Sequence, residues 1–236
     1  MTTPTPTPMP TPTPSPMPPD HLLGLLQFSD GLFPAGAYAH SLGLEWYVQA
    51  GLTRDASGLS AFIAGHLQAA AAPGDAAAVK IVRLDPHRAF ELDAQLEAFK
   101  PARELREASR QMGRQTLRVA CQLAADPPLQ DFYAAVAAGA TPGHHAVALG
   151  LVGAALGWPT SELVTAYLYA AAAALANAAL RLMPLGQLAG QRVLWELQPL
   201  ILRLVQDLSG DLGGFAPALE IAAMRHETLE ARLFRS

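Results

Sequence analysis

Between Glu162 and Arg181 the chain runs for 18 residues without a charge, LVTAYLYAAAAALANAAL, and half of them are alanine. A helix of that composition must be hidden, either in hydrocarbon, where it sits at the lower edge of spanning length, or inside a bundle of other helices. Alanine offers little apolar surface to lipid, and Thr165, Tyr167, Tyr169 and Asn177 would carry polar groups into it. The expectation is therefore a central helix wrapped by neighbours that alanine allows to come close, with no membrane span.

The punctuation around this stretch is helical. Asp20 can cap a helix over 20–27, and a second is expected over 37–49, ended by Gly51. Asp55 or Ser57 precedes a helix reaching residue 70, Asp75 starts the next, Pro86 another, and Pro101 a long one to about residue 125. Thr141-Pro142, Trp158-Pro159 and Ala216-Pro217 place proline in further first turns, while Gly157, Gly186 and Gly210 interrupt. No sustained alternation of β-branched and polar residues marks a strand. No repeat recurs at a fixed period. With 236 residues, 51% of them hydrophobic, the chain can bury a sizeable core. The expected fold is all-α, a single-domain bundle of about ten helices over residues 20–236.

Residues 1–19 alternate Pro with Thr or Ser. Proline at every second position removes amide donors and favours extended geometry, so this tail is expected to be disordered. It lacks the basic start and apolar run of a signal peptide. Cys121, the single cysteine, precludes an internal disulfide and a CxxC pair, and is expected to be a small buried hydrophobe. Both features fit a cytoplasmic protein.

Several activities lack their equipment. There is no G-x-x-x-x-G-K-[ST] loop, so any nucleotide chemistry belongs to a partner. The stretch SDGLFPAGAYAHSLGLEW, residues 29–46, offers Ser29 or Ser41, His40, Asp30 and Glu45 for nucleophilic catalysis. Against that, His40 and Ser41 are consecutive, neighbours on a helix project about 100° apart, and no G-x-S-x-G elbow is present. A helical enzyme using Ser29, His40 and Glu45 is the alternative function, and it requires the three to converge in a pocket. His144-His145 can share an ion only if the helix start is distorted, so one solvated and one packed ring are expected. His226 and Glu230 resemble half of a zinc signature, but two ligands on one helix make a weak site. No metal site and no cofactor are predicted.

Residues 100–118, KPARELREASRQMGRQTLR, align Arg106, Arg110, Arg114 and Arg118 along one helix face. Like charges at this spacing repel, so acidic groups in the fold or on a partner are required. A formal charge of −4, only two lysines and few interleaved aromatics argue against nucleic acid.

Five ordered motifs carry a family resemblance. They are Pro-x-Gly-x-Tyr with S-L-G-L-E-W, R-E-A-S-R-Q-M-G-R, the H-x-V-A-L-G run, A-L-R-L-M-P-L-G-Q-x-x-G-Q-R, and the C-terminal H-E-T-L-E-A-R-L-F-R-S. Together, over about residues 22–236, they resemble the UreF family of urease accessory proteins. The resemblance implies an all-α protein without enzymatic activity. It also implies a homodimer that joins the accessory protein UreD (also called UreH) and the GTPase UreG on urease apoprotein, where nickel is inserted. Carried over by position, partner binding falls on Pro34, Gly36, Tyr38, His40 and Glu45 in the N-terminal motif. In the tail it falls on Arg225, His226, Glu227, Arg232, Leu233, Phe234 and Arg235. Ala39 and His40 depart from the Ser and Tyr that many relatives carry. A Leu233-Phe234 pair flanked by arginines at a chain end can be buried by a partner or by folding back on its own bundle.

Overall fold

The computed structural model describes residues 21–236 apart from Phe215. The expectation for the Pro/Thr-rich segment lies outside the described residues. Eleven α-helical segments follow one another, with no strand among the described residues: α1 His21–Ser29, α2 Leu44–Gln49, α3 Ala56–His66, α4 Ala77–Leu84, α5 Ala89–Phe99, α6 Arg103–Leu123, α7 Pro127–Ala137, α8 His145–Ala155, α9 Thr160–Leu182, α10 Gln187–Gln206 and α11 Pro217–His226. The all-α expectation holds.

The alanine-rich stretch becomes α9. It packs on α10, α4, α1, α2 and α3, burying Leu163, Val164, Leu168, Ala172, Leu175, Ala176, Ala178 and Ala179. It is the one helix among the described residues long and apolar enough to cross a membrane, and 44% of its most apolar window is buried inside the protein.

Helix α8 begins at His145, so Pro142 precedes its first turn instead of lying in it, and two other boundaries differ more from expectation. Residues 56–84 form one continuous helical run, in which Leu67–Ala76 widens to π geometry around Pro73. Proline removes an amide donor and its ring clashes with the preceding turn; widening the turn accommodates it without a break. The Pro73 carbonyl accepts the Gly213 amide at 2.8 Å. Asp75 therefore lies inside the run and starts no helix. The second difference is at 37–49, where only a 3-10 turn, Ala37–Ala39, precedes α2. Leu42 and Gly43 both take left-handed backbone, with φ of 53° and 87°.

Close approach explains one glycine. A side chain at Gly113 on α6 would place its Cβ 2.0 Å from the Gly143 carbonyl, in the loop that enters α8. That loop is held by Asp93 of α5. Its buried carboxylate accepts from Thr141 Oγ1 at 2.6 Å and from the amides of Gly143 and His144 at 2.7 Å each. Three donors remove the cost of burying this charge.

Candidate functional site

The N-terminal motif and the C-terminal tail meet. Ser236 lies inside the protein, 1% exposed. Its carbonyl oxygen accepts the Ser41 amide at 2.5 Å, the Leu42 amide at 3.1 Å and the Ser41 hydroxyl at 2.8 Å. This capture accounts for the helix lost at 37–49: amides that would have started helical turns point at the chain end instead, and Leu42 is held in a conformation L-residues disfavour. The Ser236 hydroxyl meets His40 Nδ1 at 2.8 Å, and the Arg235 amide donates to the Ala39 carbonyl at 2.8 Å. Burial, helped by the charge of Arg235, holds His40 down to about 4. The ring is neutral at pH 7, and its buried Nε2 has no hydrogen-bond partner among the described residues.

A second layer fastens the segment before the tail. His226, fully buried at the end of α11, presents Nε2 to Glu45 Oε2 at 2.9 Å and Nδ1 to Glu104 Oε2 at 2.6 Å. Filling both contacts takes two hydrogens, carried by a ring with both N–H groups or by a ring and one carboxylic acid. Glu45 also accepts the Leu233 amide at 2.7 Å and the Phe234 amide at 3.1 Å, and Arg232 reaches Glu104 at 2.9 Å. Gly43 is needed here because α11 crosses it closely. A Cβ at that position would meet Ala222 Cβ at 3.2 Å.

Arg181, from α9, closes the arrangement. Its guanidinium carbon lies 4.3 Å from the Phe234 ring centre and 4.8 Å from that of Tyr38, so one cation bridges tail and loop. Arg225 lies over Trp46 at 5.3 Å.

The twelve positions carried over by resemblance thus divide by exposure. Pro34, Tyr38, Arg225, Arg232, Leu233 and Arg235 are exposed, Gly36 and Glu227 half-buried, and His40, Glu45, His226 and Phe234 buried. The tail folds back on its own bundle and seats Phe234, leaving Leu233 outside. Sequence reasoning missed Glu104 and Arg181 as parts of this clasp. No local spacing ties Glu104 to a histidine 122 positions away.

Other predicted groups fall elsewhere. Ser29 and His40 share the wall of a cavity of about 150 Å³ with His66, His145, Asp75 and Tyr167. Glu45 is turned to His226 instead, and no hydrogen bond joins Ser29, His40 and Glu45, so the catalytic constellation does not converge. Lys100 pairs with Asp75 at 2.9 Å. Burial pushes the Asp75 carboxyl up, but Lys100 outweighs it and the group stays below its usual range. His66 and His145 are held down to about 4 by burial. Burial, then Asp75, raises the Tyr167 phenol well above its usual value.

His144 is the packed ring of the pair, fully buried at the N-cap position of α8 between Ser109 Oγ and Glu97 Oε2 at 3.0 Å each, while His145 is half-buried against the cavity rather than solvated. His226 ends its helix, so His226 and Glu230 do not share a helical face. Among the described residues, no group of three or more His, Cys, Asp or Glu is placed to hold a metal ion. Of the arginine row, Arg106 and Arg110 both pair with Glu97, while Arg114 and Arg118 stay exposed.

Fold and site together define an all-α protein in which buried polar groups of α2, α6 and α11 fasten the N-terminal motif to the C-terminal tail. The UreF family profile matches residues 53–198. Among curated relatives, the urease accessory protein UreF of Arthrobacter sp. (strain FB24) is 37% identical over 218 residues, covering 91% of this chain and 96% of the relative. That of Paenarthrobacter aurescens (strain TC1) is 36% identical, covering 91% and 97%, and that of Bacillus sp. (strain TB-90) is 33% identical, covering 92% and 100%. The chain belongs to the UreF family of urease accessory proteins.

Proposed function

We propose that this protein is a cytoplasmic maturation scaffold that performs no bond-breaking of its own. In this reading a homodimer bridges UreD (UreH) and the GTPase UreG on urease apoprotein and regulates GTP-dependent nickel insertion. One observation carries it. The clasp brings Tyr38, 64% exposed, and Leu233, 60% exposed, to the loop and tail that Arg181 ties together, and arginines flank Leu233. Exposed aromatic and aliphatic side chains on a rigid base, rimmed by arginine, are the composition of a protein-binding patch. UreD is the partner assigned to it.

The test leaves the clasp intact. Deleting residues 225–236 would strip Glu45 and Glu104 of their partners, so loss of binding after truncation would not separate docking from unfolding. Leu233→Glu alters an exposed side chain, and Tyr38→Glu exchanges the ring over Arg181 for a carboxylate that can pair with the same guanidinium. Each should abolish co-purification with UreD while thermal unfolding is unchanged. Full UreD binding by the double variant would overturn the assignment.

A further inference from the structure

The widened turn at Leu67–Ala76 does more than absorb a proline. His66 and Asp75 are nine positions apart, which in an α-helix is about two and a half turns and puts two residues on opposite sides. A π turn takes roughly one residue more, so the same nine positions make about two turns and return to one side. Both residues do line one space, the cavity of about 150 Å³ enclosed by this run, α6, α8 and α9. The π geometry thus builds a polar wall that a regular helix of the same sequence would not present.

That wall meets others rich in unused hydrogen-bonding capacity. The rings of His66 and His145 make no side-chain hydrogen bond among the described residues. His40, which lines the same cavity and is 5% exposed, has no partner at Nε2 among them. Burial keeps all three rings neutral at pH 7. A neutral imidazole carries one N–H and one lone pair, so the three can both donate to and accept from a guest. Hydrogen-bonding groups left unmet in an interior are costly, and a guest that meets them removes the cost.

The charges around the cavity are already answered within the protein. Asp75 has Lys100 at 2.9 Å. Glu220, also in the wall, accepts the Ala102 amide at 3.0 Å and lies in the field of Lys100 and Arg106. Tyr167 keeps its proton. An ion entering here would lose its water shell with no free counter-charge to offset it. Phe28, Met112 and Leu149 supply apolar surface. A purely apolar cavity of about this volume admits benzene. Adding a few polar contacts to such a space selects a body of that size with a polar head.

The geometry points to a binding site for one small neutral molecule, an apolar body of single-ring size carrying a hydroxyl or amide group, enclosed by the π turn, α6, α8 and α9. Because His40 also holds the Ser236 hydroxyl, a guest bonded to its ring touches the clasp from inside.

Calorimetric titration of the full-length protein with phenol, benzene and benzoate tests the site. Phenol should bind one to one and raise the melting temperature as its concentration rises. Benzene, the same body without the head, should bind at least about tenfold more weakly, the ratio that one buried hydrogen bond sets. Benzoate should not bind. Ala170→Leu, which fills the cavity from α9, should abolish phenol binding with an unchanged circular dichroism spectrum. His66→Leu combined with His145→Leu should cancel the preference for phenol over benzene. Equal affinity for phenol and benzene, undiminished phenol binding by folded Ala170→Leu, or a crystal grown with phenol whose cavity holds ordered water alone would each overturn the site.

Discussion

His226 Nε2 and Glu45 Oε2 lie 2.9 Å apart although 181 positions separate them in the chain. Both side chains are within 1% of full burial, and the contact fixes the end of α11 on the start of α2.

Replacing His226 with Ala leaves Glu45 and Glu104 facing each other without the ring between them. Leaving a buried hydrogen-bonding group without its partner costs about 1–3 kcal/mol, and more when the group is charged. His226→Ala should therefore lower the denaturant midpoint strongly, and Glu45→Gln less, because the amide keeps an oxygen for one of the Leu233 and Phe234 amides. Urea unfolding of the two variants beside the parent checks the order; equal midpoints for His226→Ala and the parent would remove the clasp as a stabilising device.

Arg181→Ala should free the tail without unfolding the bundle. Two cation–π contacts of about 0.5–2 kcal/mol each are lost, and with them the link from Phe234 to Tyr38. Hydrogen exchange at the Leu233 to Arg235 amides should quicken while protection in α9 stays as it was. Arg181→Lys, which keeps charge but not the planar guanidinium, should fall between the two.

Acid should destabilise the fold over a defined range. His40, His66 and His145 are each held at about 4 by burial, against 6.5 in the unfolded chain. Because the folded value is depressed, the unfolded state takes up protons first as pH falls. The stabilisation is complete above about pH 6.5 and is lost as pH drops through 4. The depressed Asp75 carboxyl acts in the same direction at lower pH. Melting temperature recorded from pH 7.5 to 4 should fall most below 6.5, and His66→Gln with His145→Gln should flatten the curve.

Gly113→Ala should be among the most damaging single-methyl additions. The new carbon would sit 2.0 Å from the backbone carbonyl of Gly143, and a backbone atom held by Asp93 cannot rotate aside as a side chain would. Overpacking of this kind costs about 1–3 kcal/mol or more. Gly65→Ala, on an open face of α3 with nothing within 4 Å, is the control and should be neutral or slightly stabilising.

The helical class, the long helix after Pro101 and the interior place of the alanine-rich stretch were all legible along the chain. Each follows from a local pattern of charge, proline and apolar spacing that reports on a few turns at a time. The same logic failed at Pro73, where a π turn absorbs the proline, and at residues 37–49, where the chain end takes the amides of the expected helix. It failed also at His226, which read as a solvated helix-face histidine and is buried between Glu45 and Glu104, and at His144-His145, where neither ring is solvated.

By itself, then, the sequence determined the all-α class and, through ordered motifs, the UreF family, because helix periodicity and motif order are properties of neighbours in the chain. Only the tertiary structure decided that Phe234 goes in while Leu233 stays out, that Glu104 and Arg181 belong to the clasp, and that Ser29, His40 and Glu45 do not converge. Those outcomes depend on which groups meet across more than a hundred residues, and burial makes their pairing obligatory without leaving any mark in local spacing.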